Sequence, residues 1–120
     1  MQVGLAQVLA DRGCDAYSTH FDAIAEDGRF ARLPLAAASS LMAAGYGYGA
    51  EGDALTAALM VAARNQFGDT QFTEMYAMDF PSDSILLSHM GEGNWAMERP
   101  DRPPVEIASR VGEFECGRAV

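Results

Sequence analysis

The chain has few basic residues, only two cysteines and no long apolar run. Eight basic residues stand against 17 acidic ones, which gives a formal charge of −9 over 120 residues. Because such a surface repels phosphate groups, we expect neither nucleic acid nor an anionic membrane among the partners. No segment has the length and hydrophobicity of a membrane span, and no signal-peptide pattern follows Met1.

The cysteines point to a reducing compartment. Cys14 and Cys116 stand far apart and have no CxxC or metal-type spacing. A disulfide between them is one alternative, but two reduced thiols are the simpler interpretation. We therefore expect a cytoplasmic protein.

The apolar content of 49% is enough for one hydrophobic core. Hydrophobic spacing predicts a strand at 14–19 and helices at 2–12, 21–26, 35–44 and 54–65. In the last of these helices, Asp53 is the predicted cap and the stripe containing Leu55, Leu59 and Ala62 is predicted to face inward.

After Gly68 the pattern changes to alternation, which is typical of strands. Strands are predicted at 71–80 and 85–90, followed by a loop at 91–104 and short strands at 105–108 and 111–116. The fold class is thus α/β followed by a β-rich segment, a mixed α+β arrangement. Residues 1–68 are interpreted as the end of an α/β domain and 69–120 as the start of a β-rich domain.

Residues 71–90 are predicted to form a hairpin around a turn at 81–84. This pairing places Phe80 opposite Ile85 and Met78 opposite Leu87, and it brings Glu74 and His89 out on one apolar face. The two side chains are then either metal ligands or a buried hydrogen-bonded pair that holds the hairpin together. A bulge in either strand would put them on opposite faces.

A glycine-rich segment, 45–53, carries a second acidic side chain, Glu51. It lies just before a helix start, where free N–H groups favour an ionised carboxylate. The segment also fits a loose dinucleotide fingerprint, GxGxxA, but it follows a helix rather than a strand, which argues against that function. A solvated loop carboxylate is the alternative for Glu51.

Together, Glu51, Glu74 and His89 supply two carboxylates and an imidazole, a set that suits a divalent ion such as Mn²⁺.

Other polar residues have simpler interpretations. Asp79 and Asp83 are turn charges, and His20 with Asp22 fits a surface helix cap better than a ligand pair. Glu92 follows His89 closely and is either a rim charge or a residue that supports the imidazole.

Four ordered segments of the chain resemble the L-arabinose isomerase family. Residues 14–21 are similar to its Asp-Ala-Phe/Tyr-Thr-Thr-x-Phe segment, and 45–59 resemble its Gly-Tyr-Gly-Phe-x-x-Glu-Gly-Asp and Thr-Ala-Ala-Leu block. Residues 72–76 and 88–92 match its next two blocks, Phe-x-Glu-x-Tyr and Ser-His-Met-x-Glu. The order of the matches makes the resemblance far more specific than any single motif.

The resemblance implies a function and a site. It implies an aldose–ketose isomerase that acts on an open-chain pentose such as L-arabinose, with Mn²⁺ or another divalent metal as cofactor. The positions matching Glu51, Glu74 and His89 are metal ligands in the family, and the two glutamates are also its acid/base carboxylates. The resemblance further implies a homo-oligomer, a trimer or a hexamer, and part of the fucose/arabinose isomerase fold.

Departures from the family pattern leave an alternative. Ala54–Leu55 stands where the family usually has Trp-Lys, and Met75 where it has Asp, so the sugar need not be arabinose. Family members are several times longer, and the segment with their second histidine ligand has no counterpart here. The alternative is an inactive structural or subunit-forming lobe, at most weakly metal-binding, with no turnover alone.

Overall fold

The computed structural model describes residues 2–26, 29, 33–104, 107–109 and 117–119. In the first part of the chain the described elements alternate between helices and short strands. They are α1 (Gln2–Arg12), β1 (Ala16–Ser18), α2 (Phe21–Glu26), α3 (Leu35–Ala43), β2 (Gly47–Gly49) and α4 (Ala54–Phe67). The predicted helices are confirmed to within two residues at each end, and the strand predicted at 14–19 is shorter than expected.

Strands β1 and β2 are parallel neighbours, so their carboxyl ends lie at the same edge. Helix α4 lies directly on this pair, because β2 presents two glycines to it. A Cβ atom on Gly47 would lie 2.2 Å from the carbonyl oxygen of Ala57, and one on Gly49 would lie 2.0 Å from that of Asp53. The close contact of helix and strand therefore depends on glycine at both positions.

The inward face of α4 differs from the predicted one. Leu55 and Leu59 are 86% and 65% exposed, whereas Ala57 and Met60 are buried. The prediction was wrong because a helix held this close to a glycine strand must present its small side chains to the strand. The cap was predicted correctly: Asp53 accepts a hydrogen bond of 2.9 Å from the Thr56 backbone nitrogen.

The second part opens with an antiparallel hairpin of β3 (Glu74–Asp79) and β4 (Ser84–Ser88). Its predicted register is wrong: Met78 pairs with Ile85 rather than Leu87, and Leu87 pairs with Met75. The turn lies one residue earlier than predicted, and a bulge at residue 76 shifts the register between Met75 and Ala77. Such an extra residue leaves no mark on the alternation of side chains in the sequence.

After the hairpin, the predicted loop contains one short 3₁₀ turn, Trp95–Met97. Strands β5 (Ile107–Ser109) and β6 (Gly117–Ala119) pair with each other in antiparallel orientation. The strand predicted at 111–116, and Cys116 within it, lie outside the described residues. Cys14 is exposed and has a free thiol.

The core joins the first part of the chain to the start of the second. Its buried members are contributed by α3, β2, the 3₁₀ turn that follows β2 (Ala50–Gly52), α4 and the segment before β3: Ala38, Met42, Tyr48, Ala50, Met60 and Phe72. The mixed α and β architecture with small sheets confirms the predicted fold class. None of the helices among the described residues has both the length and the apolar character needed to cross a membrane.

Candidate metal and acid–base site

Glu74 and His89 are in contact, although the register that predicted their proximity is wrong. Glu74 opens β3 opposite Ser88, and His89 follows the end of β4, where strand alternation no longer applies. The Glu74 Oε2 atom lies 3.1 Å from His89 Nδ1. The carboxylate side chain is 43% exposed and the imidazole only 6%, so the pair opens to solvent on the Glu74 side.

The other ring nitrogen of His89 faces a second carboxylate. Its Nε2 atom lies 3.5 Å from Glu92 Oε2, and the Glu92 side chain is fully buried. Within the described part of the chain, neither this nitrogen nor either Glu92 carboxylate oxygen has a hydrogen-bond partner. Because a buried unpartnered carboxylate is costly, the nearby imidazole is the group that offsets its charge.

Aromatic rings connect this pair of residues to the parallel strands. The Phe72 ring meets the His89 ring edge to face at 4.8 Å between centroids, and it meets the Tyr48 ring at 6.0 Å. The Tyr48 ring contacts Tyr17 at 5.2 Å. The Tyr48 hydroxyl is also 2.9 Å from Thr19 Oγ1. The hairpin end and the end of the parallel sheet are therefore packed as one unit.

The buried charge alters the acidity of its neighbours. Burial raises the pKa of Tyr17 and Tyr48 well above the usual tyrosine range, and the Glu92 carboxylate raises both further. Burial acts to lower the pKa of His89, but Glu92 and Glu74 more than offset this, so the pKa of His89 lies above its ordinary value. The two carboxylates thus stabilise the positive charge of the imidazolium form more than water does around an isolated imidazole.

Glu51 lies at the carboxyl edge of the parallel strands, in a 3₁₀ turn at Ala50–Gly52 that follows β2. The Gly52 nitrogen donates a 3.0 Å hydrogen bond to the Thr19 carbonyl, which ties the turn to the end of β1. Glu51 itself has a left-handed backbone, with φ of 57°, and its side chain is exposed. The position is the edge where open α/β sheets bind ligands.

His20 and Asp22 lie close to this turn. Their Nδ1 and Oδ2 atoms are 4.0 Å apart, and both side chains are well exposed. A Cβ atom on Gly52 would lie 3.4 Å from the His20 ring. His20 directly precedes α2, and its carbonyl accepts a hydrogen bond from Ile24. This placement agrees with the predicted surface position at the helix start.

The donor chemistry at Glu74 and His89 suits a divalent ion. Two ligands at right angles around an octahedral ion, each about 2.1 Å from it, are about 3 Å apart. The observed 3.1 Å separation therefore fits two adjacent ligands as well as it fits a hydrogen bond. Across the described residues, however, no three His, Cys, Asp or Glu side chains are arranged to hold a metal ion. Glu51 is thus not joined to the other two in a ligand group.

The family profile of the L-arabinose isomerase central domain matches residues 1–68. The chain is 34% identical over 113 residues to an L-arabinose isomerase of Erwinia tasmaniensis, an alignment that covers 89% of this chain. It is also 39% identical over 110 residues to the enzyme of that name from Pediococcus pentosaceus, with 87% of this chain covered.

The chain belongs to the L-arabinose isomerase family. It spans only about a fifth of the length of these relatives, since each alignment covers 22% of the relative. The L-arabinose isomerase of Bacteroides thetaiotaomicron gives a similar result, with 39% identity over 99 residues and 19% of its length covered. Membership in the isomerase family is established by these matches, and the activity of the whole relatives is a separate matter for this chain.

The sequence did not decide whether Glu92 is a rim charge or a residue that supports the imidazole. Glu92 is buried beside His89 and close to two tyrosine rings, so it is not a rim charge. The family pattern contains a glutamate at this place, but sequence alone does not show burial. The useful signal is the spacing: Glu92 follows His89 by three positions, with Met90 and Gly91 between them.

Proposed function

We propose that the chain is a portion of a divalent-metal-dependent aldose–ketose isomerase acting on a pentose such as L-arabinose. The family membership supports the reaction class, and the contact of Glu74 with His89 is the observation that supports a metal site. We propose Glu74, His89 and Glu51 as the ligands, with Mn²⁺ or another divalent ion as cofactor. A cytoplasmic location and a homo-oligomeric state belong to the same proposal.

The two glutamates are proposed to carry the acid/base chemistry. A bound divalent ion would polarise the sugar carbonyl and hold two adjacent oxygens of the open chain. Glu51 or Glu74 removes the proton on C2, which gives an enediolate, and the same carboxylate or its partner delivers that proton to C1 while the proton of the O2 hydroxyl passes to O1. Glu74 is half exposed beside a buried imidazole, so it can reach a sugar while His89 holds its orientation. Glu51 is free to approach from the exposed turn.

A second candidate is a structural or subunit-forming lobe without turnover of its own. One observation favours it: the described residues hold no assembled group of three metal ligands. In that case the chain binds a divalent ion weakly through Glu74 and His89, and water fills the remaining positions. The two candidates share the metal site and differ in catalysis.

Titration calorimetry with Mn²⁺ tests the shared metal site. We expect the wild type to bind, and we expect Glu74→Gln and His89→Gln to weaken binding at least tenfold, since each removes one ligand. Glu26→Gln is the matched control, because Glu26 is exposed on α2 and its replacement removes the same charge. Equal binding by all variants, or none by the wild type, would contradict the site.

An assay for ketose formation from several aldopentoses then separates the two candidates. Ketose production in the presence of Mn²⁺ that is lost in Glu51→Gln supports the isomerase. Metal binding without any ketose supports the lobe.

A further inference from the structure

We propose that Glu92 is a positioning residue for His89: its buried carboxylate accepts a hydrogen bond from the Nε2–H group, so that Nδ1 is the nitrogen that faces a metal ion beside Glu74. This inference rests on the metal site proposed above. It goes beyond that site because it assigns a role to a residue that would not contact the metal or the sugar.

The first support is the geometry around the ring. Glu92 Oε2 lies 3.5 Å from Nε2, while Glu74 Oε2 lies 3.1 Å from Nδ1 on the opposite side. The two carboxylates thus face different nitrogens, and one ion cannot contact both of them together with the ring. Only the Glu74 side is open to solvent, since the Glu92 side chain is fully buried. A metal ion can therefore reach Nδ1 but not Nε2.

The second support is the set of unpartnered buried atoms. Among the residues that the structure describes, His89 Nε2 and both Glu92 carboxylate oxygens are buried without a hydrogen-bond partner. Buried polar atoms of this kind normally satisfy one another. A shift of a few tenths of an ångström would turn the 3.5 Å approach into a hydrogen bond of ordinary length.

The third support is how firmly Glu92 is held. Gly91 has a φ of 138°, which turns the chain inward directly after the hairpin. Directly after Glu92, the Gly93 backbone nitrogen donates a 3.1 Å hydrogen bond to the Ser39 hydroxyl on α3. The Asn94 side chain donates a 2.8 Å hydrogen bond to the Thr70 carbonyl. Glu92 is therefore fixed on its carboxyl-terminal side by contacts with two separate segments.

The chemistry explains why a metal-binding histidine needs such a partner. A neutral imidazole has one nitrogen with a proton and one with a lone pair, and the hydrogen bond made by the first decides which is which. Metal-bound histidines commonly use this N–H group to donate a hydrogen bond to a carboxylate, which also fixes the orientation of the ring. Here the perpendicular contact with the Phe72 ring restricts the plane of the His89 ring, and Glu92 selects the nitrogen that carries the proton.

The test compares Mn²⁺ affinity in three variants of the full chain by calorimetry. Glu92→Leu removes the acceptor, and we expect it to weaken binding by about 10- to 100-fold. Glu92→Gln keeps one acceptor oxygen, so its affinity is expected to lie much closer to that of Glu26→Gln, the control for the loss of one charge. Circular dichroism checks that each variant is folded. If Glu92→Leu binds Mn²⁺ as well as Glu26→Gln does, the proposal is overturned.

A second measurement on the metal-free wild type needs neither the metal nor a variant. The chain has only two histidines, so ¹⁵N spectra of the ring nitrogens separate buried His89 from exposed His20. We expect a proton on His89 Nε2 that exchanges with water far more slowly than the ring protons of His20. Equally fast exchange overturns the positioning role. If exchange is slow but the chain does not bind Mn²⁺, the role of Glu92 in orienting the ring is upheld. Only the proposed metal site is then contradicted.

Discussion

At the scale of single residues, Glu51 stands out because its left-handed backbone is unfavourable for a residue with a long side chain such as glutamate. A φ of 57° and a ψ of 25° place it in the left-handed region, between Ala50 and a glycine that could have taken that conformation. A side chain with a Cβ atom costs about 1 kcal/mol or more there. The carboxylate is thus present at a cost in stability, which is common where a residue serves a binding or catalytic purpose.

Glu51→Gly is therefore expected to raise the free energy of unfolding by up to about 1 kcal/mol and to weaken Mn²⁺ binding. Urea unfolding and calorimetry measure the two effects. Glu51→Ala is the matched control, since it removes the carboxylate but keeps the Cβ atom, and it should bring no such gain. If the two variants are equally stable, the left-handed backbone at residue 51 does not cost the protein stability, and the prediction is wrong.

Single residues also show what the sequence could predict about the site. The sequence predicted that Glu74 and His89 lie close together, and they do make contact, although the register from which this was predicted is wrong. The burial of Glu92 was not predictable, because it results from α3 and the segment before β3 covering the turn after His89. Such contacts join segments that are distant in sequence, and no local pattern encodes them.

At the scale of elements, the approach of α4 to β2 depends on the absence of side chains. Gly49 would bring a Cβ atom within 2.0 Å of the Asp53 carbonyl oxygen, at the first turn of the helix. At Gly4 in α1, no atom of the described residues lies within 4 Å of the equivalent position. The same substitution therefore has opposite consequences at the two sites.

Gly49→Ala should lower the free energy of unfolding by about 1–3 kcal/mol or more, because the backbone of helix or strand must move. Gly4→Ala should raise it by about 0.5–1 kcal/mol, because alanine is a better helix former. Thermal and urea unfolding of both variants measure the difference. A Gly49→Ala variant as stable as the wild type would show that the helix can shift freely on the strand.

The elements themselves were largely predictable, and their faces and registers were not. Hydrophobic spacing located α1, α3 and α4, but it assigned Leu55 and Leu59 to the inner face when both are exposed. Large apolar side chains are usually the buried ones. Here the glycines of β2 bring α4 so close to the strand that small side chains of the helix face it instead. The predicted register is wrong because of the bulge at residue 76. A bulge depends on how the two strands twist together, which the pattern of side chains in one strand does not show.

At the scale of the whole molecule, one face of the hairpin has no cover among the described residues. The register places Met75, Met78, Ile85 and Leu87 on the same side of the two strands, and each is more than half exposed. Monomeric proteins rarely leave a continuous apolar face of this kind open. The proposed homo-oligomer would account for it, in spite of the repulsion expected from a net charge of −9.

We therefore expect the chain to associate in a concentration-dependent way, and Ile85→Lys to weaken that association without lowering stability. Ser84→Lys adds the same charge to the same strand on the other face and serves as the control. Sedimentation equilibrium measures the mass of each species. A wild-type chain that is monomeric at every concentration would rule out this face as a self-association surface.

The ring contact between Tyr48 and Phe72 bears on how the chain unfolds. These residues lie on either side of Gly68, where the family profile ends and where the sequence pattern changes. Tyr48 is fully buried and Phe72 nearly so, so parting them would expose both rings to water. We therefore expect the α/β part and the base of the hairpin to unfold together as one cooperative unit. A cleavage of the backbone at Gly68 would not release two independent modules.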